Sequence, residues 1–227
     1  MASILDAIDH AAHELLAPID GMTVGDLFDR FGPIPLWRIV RDPVPGTAAL
    51  EDVLIHQERT GRFCELVDGV LVEKDLSYKA SRIAIELAAR ILQFVKLSNL
   101  GLVTGEQGFI RLTTGRVRGP DVAFVAWGRL PGGREPREPV PNLAPTLAVE
   151  VISPGNTKRE MDDKLDDYFR SGVELVWYVY PDREEVEIFT SPKEKAVLGR
   201  ADVLDGGTAL PGFTLSLAEL FAEPVGG

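Results

Sequence analysis

Two apolar runs each carry one carboxylate. "RGPDVAFVAW" spans 118–127 and holds Asp121; "PTLAVEVISP" spans 145–154 and holds Glu150. An unpaired ionised acid in a buried strand is very costly, so each must meet a cation, stay protonated, or face a cleft. Glu150 is followed at once by "SPGN", which ends its strand, and clefts form beyond the carboxyl ends of parallel strands. Asp121 begins its run. If the two strands are antiparallel, the start of one lies beside the end of the other and the two acids meet. Two converging carboxylates suit a hard cation such as Mg²⁺, which takes one or two protein carboxylates and completes its octahedron with water and phosphate. The other reading is that each acid pairs with a structural Arg or Lys.

A third group comes from "TKREMDDKLDDYFRSG" at 157–172. Thr157-x-x-Glu160 is a capping-box pattern, which assigns Glu160 to the helix N-terminus. At helical spacing Met161, Leu165, Tyr168 and Phe169 form the buried stripe, and Asp162, Asp163, Asp166 and Asp167 are expected to face mostly outward. Lys164 falls about 40° from Tyr168, on the flank of that stripe, from which its long side chain can reach the sheet end where Glu150 lies. The competing reading is a lysine solvating its own acidic helix. Glu65 alternates with Phe63 and Val67 and so shares an apolar face. Glu106 in "TGEQGF" is a further candidate, and Glu86 reads as a solvated helix position.

These residues need elements to hold them. "RFCELVDGVLVEK" reads as two short strands joined by Asp68-Gly69, the strongest short hairpin signal. Residues 78–99 have apolar positions at 83, 87, 91 and 94–95 and read as an amphipathic helix. "LVTGEQGFIRLTT" and "DVAFVAW" read as strands, separated from the next by the Pro- and Gly-rich loop "GRLPGGREPREPVPNLAP". "TLAVEVIS", a helix over about 157–171 and "LVWYVY" make a βαβ unit with parallel strands. "REEVEIFT" adds an antiparallel strand, and "LPGFTLSLAELF" a strand-like piece and a closing helix. The class is α/β, a mixed sheet flanked by helices. Residues 1–57 are expected to be an extension: a helix in "SILDAIDHAAHELLA", a second from Thr23 to Gly32, and a Pro-rich loop. Residues 58–227 are expected to be the main domain.

The 227 residues include one cysteine, Cys64, and three scattered histidines, His10, His13 and His56. No disulfide framework or cysteine zinc site is possible, and the histidines read as structural or exposed. No run approaches a membrane span and the N-terminus lacks a secretory pattern, so a cytoplasmic protein is the default. No serine or cysteine nucleophile has a base beside it. The net charge of −11 argues against nucleic acid taken whole. Against that stands a basic stretch containing Arg111, Arg116, Arg118, Arg129, Arg134 and Arg137, any of which could meet phosphate or simply solvate a loop. No helix-turn-helix or zinc module is visible.

"GPDVAFV", "LAVEVISPGNTKREMDDKLDDYFRSGVELVWYVYPDREEVEIF" and "LPGFTLSLAELF", together with "CELVDGVLVEK", resemble the Uma-type (Uma-two) family of bacterial endonucleases, within the PD-(D/E)XK nuclease superfamily. The resemblance spans about residues 58–222. It implies a restriction-endonuclease-like core with a divalent metal, Mg²⁺ or Mn²⁺, at the sheet edge and DNA as substrate. Pro120-Asp121 then stands for the PD of the signature and Glu150 for its second acid. The signature lysine would fall at 152, where this chain has Ile152. Lys164 sits where the family's lysine has moved, onto the following helix. Glu65 matches an acid recurrent in the family's first strand and is expected as a further metal ligand. A homodimer suits cutting of two strands, with no interface legible in the sequence. The rival readings are a non-catalytic binding module on the same scaffold and a hydrolase of small phosphoesters.

Overall fold

The computed structural model describes residues 21–75, 77–113 and 115–223. The helix expected over 3–17, with His10 and His13, lies outside them. The elements in chain order are α1 (Val24–Phe31), α2 (Leu50–Thr60), β1 (Cys64–Val67), β2 (Val70–Glu73), α3 (Tyr78–Ser98), β3 (Gly101–Gly105), β4 (Ile110–Thr113), β5 (Arg116–Arg118), β6 (Val122–Ala126), β7 (Leu147–Val151), α4 (Lys158–Arg170), β8 (Leu175–Tyr180), β9 (Glu185–Phe189), β10 (Lys195–Gly199), β11 (Val203–Asp205), β12 (Thr214–Ser216) and α5 (Leu217–Leu220).

The larger sheet has the order β10-β9-β8-β7-β6-β3. Strands β7 and β8 are parallel neighbours and α4 crosses between them, as the βαβ reading requires. The β6–β7 pair is antiparallel, with Val122 opposite Val149. A smaller sheet has the order β2-β1-β5-β4, and β11 and β12 form a separate ribbon. "LVTGEQGFIRLTT" is therefore not one strand. It divides into β3 and β4, which belong to different sheets, because the turn at 106–109 redirects the chain.

Strand alternation assigns the two faces of the larger sheet. Val122, Phe124, Leu147, Val149, Leu175, Trp177 and Val179 face α3, whose Ile83, Leu87, Ile91 and Val95 are each 1% exposed or less. Each such aliphatic burial contributes about 1.5–3 kcal/mol. Ala148, Val176 and Tyr178 face the other way, against Met161, Leu165 and Tyr168 of α4. Glu150 lies between Ala148 and Ile152 on this second face.

The β1–β2 hairpin turns at Asp68 (φ 49°) and Gly69 (φ 79°), the left-handed pair expected of such a turn. Helix α1 is capped by Thr23 and ends at Gly32. It buries Leu27 and Phe31 against Val67, Val70 and Val72. Helix α2 buries Val53 against Cys64, Leu66 and Leu71.

Helix α4 corrects one expectation. Asp163 and Asp167 do not face outward; Asp167 is 4% exposed, and both are ion-paired to arginines of β5. The reason is that α4 is covered on two flanks. One flank lies on the larger sheet, and the other meets β5 and Arg30 of α1. Only Asp162 and Asp166 keep to the outer side.

Candidate active site

Continuing the β6–β7 register by one step places Asp121 opposite Glu150 on the same face of the sheet. The Asp121 Oδ2 atom accepts from the Val151 N–H at 2.7 Å, which ties the start of one strand to the end of the other. Both acids line a cavity of about 710 Å³. Glu65, Lys74, Asp75 and Lys164 line it too, beside the α3 N-cap Ser77, Ser81 and Ile85 within α3, and the 105–108 turn.

Lys164 lies on α4 between the apolar stripe and the acidic flank and is 3% exposed. Its ammonium sits 3.1 Å from Glu65 Oε1 and 3.3 Å from Glu150 Oε2. It does not solvate its own helix. Burial alone would lower its pKa, but Glu150 and Glu65 more than offset this, so it stays charged.

Glu65 is held on all sides. Its Oε2 accepts from Arg118 at 3.0 Å, and its Oε1 from the Gly119 N–H at 3.1 Å. Burial pushes the carboxyl up, but the Lys164 and Arg118 charges outweigh burial and hold it at about 2. Glycine at 119 is required by crowding: a Cβ there would come within 2.7 Å of the Phe109 ring.

Glu150 is the opposite case. Burial pushes its pKa up to about 7, and the neighbouring Asp121 and Glu65 charges push the same way against Lys164. The Tyr168 hydroxyl donates to its Oε1. The site is therefore short of positive charge at one of its two strand-borne acids.

The structure adds Lys74, which the sequence reading passed over. Its ammonium donates to Asp121 Oδ1 at 2.6 Å and to the Gly119 carbonyl at 2.8 Å. A signal was available: Glu65 pairs with Val72, and Lys74 is two residues on, so it shares that face of the hairpin. Asp75 accepts from the Ser153 hydroxyl and the Gly155 N–H, both at 2.8 Å, and so braces the exit of β7.

The other candidates sort plainly. Glu160 makes the expected capping box with Thr157 and also pairs with Arg38 at 2.7 Å. Glu106 is exposed at the cavity mouth. Glu86 pairs with Arg90 one turn on. Ile152 packs among the apolar residues of the α4 face. His56 pairs with Glu73 at 3.2 Å, and neither lines the cavity.

Three of the arginines considered for phosphate are not free. Arg118 is 1% exposed and bound to Glu65, Asp163 and Asp167. Arg116 is bound to Asp68, Asp163 and Asp167. Arg129 is tied to Glu174 and the Gly172 carbonyl. Arg134 and Arg137 are exposed.

The family model for Uma2, described as "Putative restriction endonuclease", matches residues 50–218. The chain belongs to the Uma2 family. Its model begins on α2, before the hairpin. A solved structure described as a "putative nuclease belonging to DUF820", from Anabaena variabilis ATCC 29413, shares the fold. Its TM-score is 0.64 at 21% identity, over 71% of this chain and 91% of that one. No curated protein matches. The chain is thus an α/β protein of restriction-endonuclease-like fold in a nuclease family. Among the described residues, no helix is long and apolar enough to cross a membrane.

Proposed function

We propose that this Uma2 protein is a divalent-metal-dependent phosphodiesterase that cleaves DNA. One observation carries the reading: Asp121 and Glu150, from adjacent strand ends, face the same cavity, and the Lys164 ammonium sits 3.3 Å from Glu150. Among the described residues no cluster of three or more acids, histidines or cysteines is poised to ligate a metal. Two carboxylates nonetheless suffice for Mg²⁺ or Mn²⁺, whose remaining positions are filled by water and phosphate. The charge deficit at Glu150 supports the same fit. A cation held by Asp121 and Glu150 would polarise the scissile phosphate and lower the pKa of an attacking water.

The chain's own groups then have distinct roles. Lys164 presents a fixed ammonium to the attacking water and to the charge that grows on phosphate. Glu65 was expected as a ligand, but its oxygens are engaged by Arg118, Gly119 and Lys164, which suits a positioning role better. Tyr168 orients Glu150, and the Val151 N–H orients Asp121. DNA as substrate is supported by the family's description as a restriction endonuclease.

A second reading has an observation of its own. Each strand-borne acid has a lysine partner, Asp121 with Lys74 and Glu150 with Lys164, which also fits a non-catalytic module. Incubation of supercoiled and single-stranded DNA with Mg²⁺, Mn²⁺ or a chelator separates them. The nuclease reading expects cleavage that needs metal and is lost in Asp121→Asn. Metal-independent cleavage, or cleavage by that variant, would sink it.

A further inference from the structure

Lys74 closes the run "VLVEK" at the end of β2, and its backbone is fixed on both sides. Its own N–H donates to the Phe63 carbonyl, and the next residue, Asp75, is bound to Ser153 and Gly155. The side chain is a four-carbon stem that can swing without disturbing that frame. Its ammonium occupies Asp121 Oδ1 at 2.6 Å, while Oδ2 is taken by the Val151 N–H. A divalent cation bound through Oδ1 would meet an ammonium at contact distance, and like charges that close repel strongly in a half-buried site.

The two lysines differ in what else holds them. Lys164 touches Glu65 as well as Glu150 and keeps an anchor if Glu150 is given up. Lys74 pairs with one carboxylate among the described residues, and its second partner is the neutral Gly119 carbonyl. Once Asp121 is taken, Lys74 keeps no direct ion pair among the described residues, only the longer-range pull of Glu150 and Glu65, at the wall of a cavity of about 710 Å³.

We propose that Lys74 is a built-in competitor for the divalent cation at Asp121, and that its displaced ammonium then contacts the substrate phosphate. The inference rests on the metal-dependent reading and adds a second cation to that site. Lys74 holds Asp121 in place before metal arrives, and its release makes it available where phosphate enters.

The test is calorimetric titration of Mn²⁺ into the full-length protein without nucleic acid, followed by cleavage at saturating Mn²⁺. Lys74→Met should bind Mn²⁺ about tenfold tighter than the parent, since the competing charge is gone. Its cleavage should fall at least tenfold, on the order of the loss of one transition-state donor. Lys74→Arg should bind no tighter than the parent. Should Lys74→Met fail to fold, Lys74→Gln, which keeps a donor without the charge, is read by the same titration and cleavage criteria. A parent that binds no Mn²⁺ beside a Lys74 variant that does would also support the proposal. Unchanged or weaker binding by the variant overturns it while leaving the nuclease reading intact, and so does tighter binding with undiminished cleavage. Absence of Mn²⁺ binding in every form overturns the competition, while the nuclease reading falls only if cleavage does not depend on metal.

Discussion

Helix α4 serves two ionic clusters built from the same residue types, and they are balanced differently. On one side Asp163 and Asp167 meet Arg30, Arg116 and Arg118. The Arg118 guanidinium makes four bonds to Glu65, Asp163 and Asp167, at 2.5 to 3.1 Å. On the other side, around Lys164, Glu150 is pushed up to about 7 and faces a cavity. The first cluster is closed and saturated; the second is open and short of positive charge. A buried cluster kept for structure should satisfy every group, whereas one kept for chemistry can leave a group waiting for a ligand.

The sharpest way to break this comparison is by activity. Asp121→Asn and Lys164→Met should each lower metal-dependent DNA cleavage by about a hundredfold or more, measured as initial rates on plasmid. Both should remain folded by circular dichroism. Equal loss from a conservative change in the arginine cluster that leaves Glu65 and Lys164 in place would erase the distinction.

Stability gives the next largest contrast. Arg118→Met leaves Asp167 buried without its main partner and Glu65 without one of its two cations, and should cost about 3–5 kcal/mol by denaturant unfolding. Glu150→Gln removes a carboxyl that burial already disfavours, and should leave stability unchanged or higher. A large loss from Glu150→Gln would place that acid in the structural class.

The pH dependence sharpens the same point. The folded pKa of Glu150 is raised, so its contribution to stability is fully present below about pH 4.3 and is lost as pH rises through about 7. Glu65 runs the other way: it is depressed to about 2, so its contribution is present above about pH 4.3 and lost as pH falls toward 2. Without metal, the parent's melting temperature should therefore drop between pH 5 and 8 relative to Glu150→Gln. Parallel curves for the two proteins would contradict the assignment. The smallest effect is expected outside both clusters. Lys158→Ala breaks only the exposed pair with Asp162 and should change stability by less than about 0.5 kcal/mol, with cleavage unaltered.

Much of the frame was legible because its signals are local. Asp68-Gly69 marked the hairpin, Thr157 and Glu160 the start of α4, and the β7–α4–β8 pattern a parallel pair. Asp121 and Glu150 stood out because an acid in an apolar strand needs a reason. The fates of Asp163, Asp167 and Arg118 were hidden, because a helix pattern shows which face is apolar but not that a second sheet covers the adjoining flank. Lys74 was passed over for a related reason, although the hairpin register puts it on the Glu65 face. A lysine at a strand end reads as solvated, and only the meeting of the two sheets at Gly119 and Asp121 brings it inside. Within the 21–60 segment the helix from Thr23 to Gly32 was legible, but helix α2 and the packing of the segment escaped for a third reason. Its apolar side chains pack on the β1–β2 hairpin, so its pattern has meaning only with that hairpin present.

The most direct test of the central claim pairs two readings on one variant, Glu150→Gln: cleavage of DNA with Mg²⁺ or Mn²⁺, and the unfolding midpoint without metal. The account predicts a protein that no longer cuts and unfolds no earlier than the parent. A variant that cuts normally, or one that unfolds several kcal/mol sooner, would show that Glu150 holds the fold together rather than the chemistry.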